Sequence, residues 1–401
     1  MASAGSRRVL IIVQNLPVPF DRRVWMEATT LQRAGYQVSV ICPKAKGFTR
    51  SREVLEDVEI HRYGLPVDAK GAIGFVVEFA WCWTRTLMKS LRIAVAGRGF
   101  DVIHACNPPD TYWLLALLYR PFGTRFIFDH HDLSPEMYEA KFGRSDGLPM
   151  RGLRWLERLT FRTADVVIAT NQSHKRIAVE RGGVRSERVY VVRSGPDLAR
   201  LKVFPRDESW KAGKRFLVTY LGEICAQDGV EYLVQAMRYL RDSLGRHDVQ
   251  CVLVGGGPHQ DAVKRFAQEQ GVGDVCTFTG RVSDEELCRI LSSADVAVDP
   301  DPKTPWSDQS TMNKIMEYMF FGLPIVGFAL TENQTSARDA MVVADGNDPA
   351  GLARTIRDLL DEPGRREIMS QSGQERLRSA LAWEHSVPHL LAAYEAALNG
   401  R

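Results

Sequence analysis

The chain has none of the marks of a disulfide-built, fibrous or membrane-spanning protein. Its seven cysteines, at positions 42, 82, 106, 225, 251, 276 and 288, are odd in number, scattered and never spaced CxxC. That pattern fits reduced thiols in a reducing compartment and argues against both a disulfide framework and a zinc site. Low-complexity tracts are absent, which excludes collagen-like and disordered readings. No apolar run reaches the ~20 uninterrupted residues of a spanning helix. Met1 to Arg8 carries no apolar core, so no leader peptide is expected. The dinucleotide fingerprint is missing too. The nearest loop, Gly255-Gly256-Gly257-Pro258, is not GxGxxG, and no acid closes a second strand ~20 residues on. What remains is a 401-residue chain, 45% hydrophobic and 25% charged, with 32 Gly and 19 Pro to make its turns. At about 100–200 residues per domain, it is a folded soluble protein of two or three domains.

Short apolar runs alternate with helix-period segments from end to end. Strands are expected at 9–13, 37–41, 58–63, 101–105, 125–129, 165–170 and 188–192, and helices at 22–34, 72–96, 110–120, 151–163 and 173–182. Val and Ile on consecutive positions mark parallel strands buried on both faces. Residues 194–214, with two prolines, two glycines and many charges, have the composition of a linker. The alternation then restarts, with strands at 216–221, 250–254, 275–279, 296–299, 325–328 and 341–344, and helices at 229–241, 259–270, 284–293, 311–321, 349–361 and 365–380. The expected class is α/β, with two tandem Rossmann-like domains over 1–195 and 196–383. A last helix, within 384–401, is expected to pack back on the first domain. Such a pair places an interdomain cleft at the strand C-termini.

Net charge is +3, but residues 1–200 hold 30 basic and 20 acidic side chains, and the remainder 22 and 29. The basic half suits an anionic surface or substrate; two unequal solvated surfaces would produce the same imbalance. Residues 71–96 are aromatic and apolar (Phe75, Phe79, Trp81, Trp83), yet are interrupted by Glu78, Arg85 and Lys89. They read as a helix lying in a membrane interface or as an ordinary half-buried one. Arg151, Arg154, Arg158 and Arg162 form a basic stripe nearby in sequence.

Three segments carry chemistry. Glycines 255–257 follow a strand and precede a helix, where backbone amides approach phosphates. In 307–322 (SDQSTMNKIMEYMFFG), Ser310 or Thr311 is placed to cap a helix through Asn313, Lys314 and Glu317. Free amides, a hydroxyl and an ammonium would then meet where a diphosphate binds well. Glu317 suits a ribose diol, or else pairs with Lys314 three residues away. His130-His131-Asp132 ends a strand, where a His beside an Asp orients a polar substrate or stabilises developing charge. Asp299-Pro300-Asp301 resembles a DxD metal clamp, but its prolines favour a structural turn.

Together these segments resemble a retaining glycosyltransferase of family 4 with the two-domain GT-B architecture, closest to a bacterial branch that assembles surface polysaccharides or glycoconjugates. The resemblance covers nearly the whole chain. It rests on PFDRRVW (19–25), DHHDLSPE (129–136), YLGEICAQDGVEYL (220–233), VGGGP (254–258), FTGRV (278–282) and STMNKIMEY (310–318). It implies an acceptor domain followed by a nucleotide-sugar domain. Gly222 and Gly256 would lie by the donor diphosphate, and Arg281 and Val282 by the base. Glu317 would hold the ribose and Gln309 a sugar hydroxyl, with Ser310, Thr311 and Asn313 completing the donor-binding set. His131 and Asp132 would stand near the transferred sugar, and Asp21, Arg22 and Arg23 would face the acceptor. The family's diphosphate-binding Arg and Lys are replaced here by Glu223 and Asp228, and the first glutamate of its pair by Gln309.

The expected reaction is transfer from a nucleotide diphosphate donor, UDP-sugar foremost, to an acceptor hydroxyl with retention. Lys314 and Arg281 would stabilise the leaving phosphate, without a cofactor or a required metal. The acceptor is a glycan, a lipid-linked glycan or a small molecule, and no nucleic acid is implied. The setting is cytoplasmic, with peripheral contact at the inner membrane face open to the first domain. A nucleotide-sugar epimerase of the same fold and a non-catalytic nucleotide-sugar-binding scaffold are the alternatives.

Overall fold

The computed structural model describes residues 7–45, 47–66, 71–97, 99–198 and 200–400, without the side chains of 71–73, 75 and 76. Residues 1–6 and the Phe75 side chain, both considered above, lie outside the described set. The chain forms two compact units, one running to Ser194 and resuming at Ser386, the other Gly195–His385.

The first unit is built on eight strands: β1 (Arg8–Ile12), β2 (Gln37–Pro43), β3 (Arg52–Leu55), β4 (Val58–Tyr63), β5 (Val102–Cys106), β6 (Arg125–His130), β7 (Val166–Ala169) and β8 (Val189–Val191). Their order is β3-β4-β2-β1-β5-β6-β7-β8, parallel except for the β3–β4 hairpin. The second unit has β9 (Phe216–Leu221), β10 (Val249–Val254), β11 (Cys276–Gly280), β12 (Val296–Asp299), β13 (Ile325–Gly327) and β14 (Met341–Val343). They are ordered β11-β10-β9-β12-β13-β14 and all parallel. Both sheets are doubly wound, and their central strands are buried along almost their whole length, which is why they read as mainly apolar runs.

Strand β3 escapes the apolar-run criterion because its residues are charged or partly exposed and it is short. It turns into β4 through Glu56 and Asp57, at φ 45° and 59°. Two successive positive φ values belong to a tight hairpin turn that glycine or asparagine normally signals. The helices Ser134–Phe142 and Thr331–Ala337 were also not expected, and the helix expected from 151 begins at Gly147. The supposed linker is firmly attached to the second unit. Phe204 N donates to Ser292 Oγ (3.0 Å), and Arg206 reaches Asp295 (2.5 Å) and the carbonyl of Ser293 (2.9 Å).

The helix Trp383–Asn399 completes the first unit from Ser386 onward. Leu390, Ala393, Tyr394 and Ala397 are buried. The Tyr394 ring meets Tyr36 edge-on at 5.6 Å, and its hydroxyl lies 2.7 Å from Nδ1 of His104 on β5. Both partners are fully buried, so losing one strands the other without water. Tyr394→Phe is expected to lower stability by about 1–2 kcal/mol, measured by urea unfolding followed in the far-ultraviolet. An unchanged midpoint would show that this bond contributes nothing.

Candidate functional site

In the first unit, the carboxyl end of β6 delivers Asp129, His130 and His131 in succession. Asp129 is fully buried. Its carboxylate takes Arg23 in a fork (Nε–Oδ2 3.1 Å, Nη2–Oδ1 2.9 Å) and His131 Nδ1 at 3.3 Å. His104 Nε2 stands 3.6 Å away. Burial alone would raise the Asp129 carboxyl, but Arg23 and the two histidines override it and hold it well below the usual carboxylate range. Burial would likewise lower His131, but the bond to Asp129 and its charge raise that imidazole to about 9. His131 is therefore an imidazolium at neutral pH, with Nδ1 anchored inward and Nε2 directed away from the carboxylate.

The loop bearing His131 and Asp132 is shaped by a residue that the sequence motifs did not single out. Asn107 Oδ1 accepts from the amides of His131 (2.9 Å) and Asp132 (3.0 Å), and Asn107 Nδ2 donates to the Asp132 carbonyl (2.7 Å). Asp110, pushed up to about 6 by burial, takes the Ser134 hydroxyl (2.7 Å) and Asn107 Nδ2 (3.2 Å).

The turn expected to face an acceptor needs correction at Arg23. That side chain is buried, and it binds Glu27 (3.0 Å), the Val192 carbonyl (2.8 Å) and Ser194 Oγ (2.9 Å) besides Asp129. It is an internal ion-pair centre and presents no donors outward. Asp21 caps the helix Arg22–Arg33 by accepting from Val24 N (3.1 Å), and Arg22 is exposed. Ligand atoms of Glu27, His104, Cys106 and Asp129 lie within 4.8 Å of one another. The Arg23 guanidinium already sits against both carboxylates, so the cluster is charge-compensated without a metal. Burial pushes Glu27 up to about 7 despite Arg23. A depression of about 530 Å³ lined by Arg8, Tyr36, Gln37 and Asp57 lies at the amino ends of β1 and β2, the wrong end of the sheet for this chemistry.

In the second unit, the glycine loops pack on one another. Gly255 has φ +123°, and a Cβ there would collide with the Gly222 carbonyl. Gly222 N donates to Val254 O (3.1 Å), and Ile224 N to Gly256 O (3.1 Å). The Gly222 amide, expected under a diphosphate, is thus already bonded to β10. Gly256 and Arg281 are neighbours: a Cβ on Gly256 would lie 3.6 Å from Arg281 N. The Val282 side chain packs into the core beside them. Asp228 accepts from Cys225 N (2.9 Å) and closes its own turn.

Around the helix Asn313–Phe320, side-chain partners differ from the expected ones. No side chain caps this helix among the described residues; Met312 occupies the cap position. Ser310 Oγ donates instead to Trp306 O (2.8 Å), and Gln309 Nε2 to Pro305 O (2.7 Å). Thr311 is half-buried and Asn313 exposed. Lys314 is not a spare cation. Its ammonium meets Asp299 Oδ1 at 2.8 Å and Asp301 Oδ2 at 3.0 Å, and lies 4.7 Å from the Tyr220 ring centroid. Burial would lower its pKa, and the two carboxylates hold it well above the usual range. Asn333 Nδ2 also donates to Asp299. Glu317 pairs with Arg200 (2.8 Å), whose other nitrogen binds Asp284 (2.9 Å). Neither the Lys314–Glu317 pair nor a Lys314–diphosphate contact matches this arrangement, and Arg200, from the supposed linker, was missed altogether.

Residues 21–195 match the family described as "Glycosyl transferase 4-like domain", and residues 215–362 match "Glycosyl transferases group 1". The D-inositol 3-phosphate glycosyltransferase of Geodermatophilus obscurus is 30% identical over 315 residues, 74% of this chain and 67% of that protein. Among solved structures, sucrose-phosphate synthase from Thermosynechococcus elongatus superposes with a TM-score of 0.77 at 19% identity, over 98% of this chain and all of the other. HepE of Anabaena, solved in complex with UDP-glucose, does so at 0.71 and 15%, over 97% and 99%.

Two outcomes are expected from this geometry. A folded-state imidazole raised from 6.5 to about 9 stabilises fully below pH 6.5, and that contribution is lost as pH rises through 9. The stability difference between wild type and His131→Asn should reach at most about 3 kcal/mol near pH 6 and disappear above pH 9. A pH-independent difference in urea unfolding would refute the pairing with Asp129. Lys314→Met, which leaves two buried carboxylates uncompensated, should cost about 3–5 kcal/mol. Adding Asp299→Asn and Asp301→Asn should restore part of that loss in the same measurement.

Proposed function

Because the chain belongs to the group 1, family 4-like glycosyltransferases, nucleotide-sugar-dependent retaining enzymes of the GT-B fold, we propose that it moves a sugar from a UDP-sugar to a hydroxyl of a glycan, a lipid-linked glycan or a small molecule. UDP is the favoured carrier because HepE, which shares the fold, binds UDP-glucose. We place the reaction in the cytoplasm, a setting that the seven unpaired cysteines support.

The observation that carries this reading is His131, held as a cation at the end of β6 by a buried carboxylate. A departing nucleoside diphosphate gathers negative charge, and a fixed cation in a poorly solvated setting stabilises it with little reorganisation. His131 takes the part that Lys314 cannot, since Lys314 is compensated by Asp299 and Asp301. Asp132 orients sugar hydroxyls, and Asp21 and Arg22 contribute to the acceptor side. On the donor side, Glu317 binds the ribose after exchanging Arg200 for the diol. Arg281 and Val282 flank the base beside Gly256, while Gln309, Ser310, Thr311 and Asn313 line the sugar and phosphate end of the donor. Retention follows from front-face substitution. The acceptor oxygen bonds to the anomeric carbon as the bond to the β-phosphate oxygen breaks, and the hydroxyl proton passes to that departing phosphate. No enzymic nucleophile is required, and no metal where the protein's cations meet the charge.

Calorimetric titration with UDP, GDP, dTDP and ADP in EDTA tests the donor half. UDP is expected to bind at least ~10-fold more tightly than the others, and Glu317→Ala to weaken it by about 10–100-fold. His131→Asn should weaken UDP binding by about 10-fold and lower kcat by about 100–1,000-fold. Binding of none of the four nucleotides would leave the scaffold reading standing and end this one.

A further inference from the structure

A helix on the surface of a soluble unit ordinarily turns its apolar stripe inward. The helix Gly71–Val95 of the first unit packs Trp83, Leu87 and Ile93 against the core and carries a second apolar row outward. Positions 82, 86, 90 and 93 face the core with Cys, Thr, Ser and Ile, while Val77, Trp81, Met88, Leu91 and Val95 are exposed. Those five recur at four- and three-residue steps, with only Thr84 polar in the same row. The helix Trp113–Tyr119 lies alongside, tied by Tyr119 Oη to Ser90 Oγ at 3.1 Å, and it exposes Leu114, Leu117 and Leu118, with Phe122 just beyond. On its other side it touches the helix Gly147–Thr163, which exposes Leu148 and Trp155. Three neighbouring helices over one face of the sheet thus carry large apolar side chains outward. A patch of this kind marks an interaction surface.

Charge identifies the occupant. These three helices contain two acids, Glu78 and Glu157, and Glu157 is buried and bonded to Arg181 at 2.6 Å. Arg92, Arg151, Arg154, Arg158 and Arg162 are exposed, and the Arg85 guanidinium lies 5.3 Å from the Trp81 ring centroid. A two-fold dimer through this face would oppose arginine to arginine. No helix among the described residues is long and apolar enough to cross a membrane, so the face lies on its partner without spanning it. We propose that this three-helix face docks on an anionic lipid bilayer, with the tryptophans and leucines at the acyl boundary and the arginines on headgroup phosphates. The inference stands on the surface of the first unit alone and does not depend on the sugar donor.

Vesicle co-sedimentation of the full chain provides the test, using phosphatidylcholine with and without phosphatidylglycerol. Binding is expected only with phosphatidylglycerol present, falling as salt is raised. The triple variant Arg151→Glu, Arg154→Glu, Arg158→Glu should reduce partitioning at least ~100-fold, and Met88→Ser with Leu91→Ser should reduce it independently. Unchanged far-ultraviolet dichroism and melting temperature would certify both variants as folded. No sedimentation with either vesicle, or equal sedimentation with both, would overturn the proposal. So would a concentration-dependent dimer in light scattering that the Met88/Leu91 variant abolishes, since a second copy would then be the occupant.

Discussion

The bond between Arg23 and Asp129 organises the first unit. One guanidinium joins the end of β6, the helix Arg22–Arg33 through Glu27, and the segment leaving the unit through Val192 and Ser194. Removing two opposite charges from water is costly, and a single pair seldom stabilises a fold outright. What such a pair does well is fix geometry, because neither partner tolerates the loss of the other. Here the fixed geometry is that of His131, whose ring orientation and charge both follow from the carboxylate beneath it.

The second unit repeats the device with different residues. Lys314 lies between Asp299 and Asp301 at the end of β12, as Arg23 lies between Asp129 and Glu27 near the end of β6. In each unit a buried cation with two carboxylates ties a strand terminus to a helix. Both clusters consume cations that a count of charges would offer to a phosphate. The acidic side chains of Glu223 and Asp228 near the glycine loops therefore weigh more in the proposed donor site than they would if Lys314 were available. In the proposed reaction, positive charge on the donor side then rests on Arg281 and backbone amides, and His131 is the cation the first unit would supply.

Parallel strands buried on both faces need apolar residues at consecutive positions, as β1, β7 and β9 show most plainly, and 13 of the 14 strands stand where they were expected. The exception, β3, is a short edge strand turned by Glu56 and Asp57, residues that adopt positive φ without advertising it. Side-chain partnership was far less legible. Lys314 and Glu317 stand three apart on one helix, the spacing of a local ion pair. Yet their partners come from elsewhere: Asp299 and Asp301 from the preceding strand end, and Arg200 from a segment that composition marks as a linker. Helical spacing constrains neighbours along a helix and says nothing of what the sheet brings to it. Asn107 illustrates the same limit. An asparagine between two strands carries no motif, and only the parallel register of β5 and β6 places it under the loop of His131 and Asp132.

The return of the helix Trp383–Asn399 to the first unit makes the second an insertion within it. Gly195–His385 is continuous along the chain, so all of its internal partners are synthesised together. The first unit is incomplete until residues 386–400 follow. Until Tyr394 is synthesised, His104 lacks its hydroxyl partner. The packing around His104, and with it the setting of Asp129 and His131, is therefore completed by residues made after every strand has been synthesised.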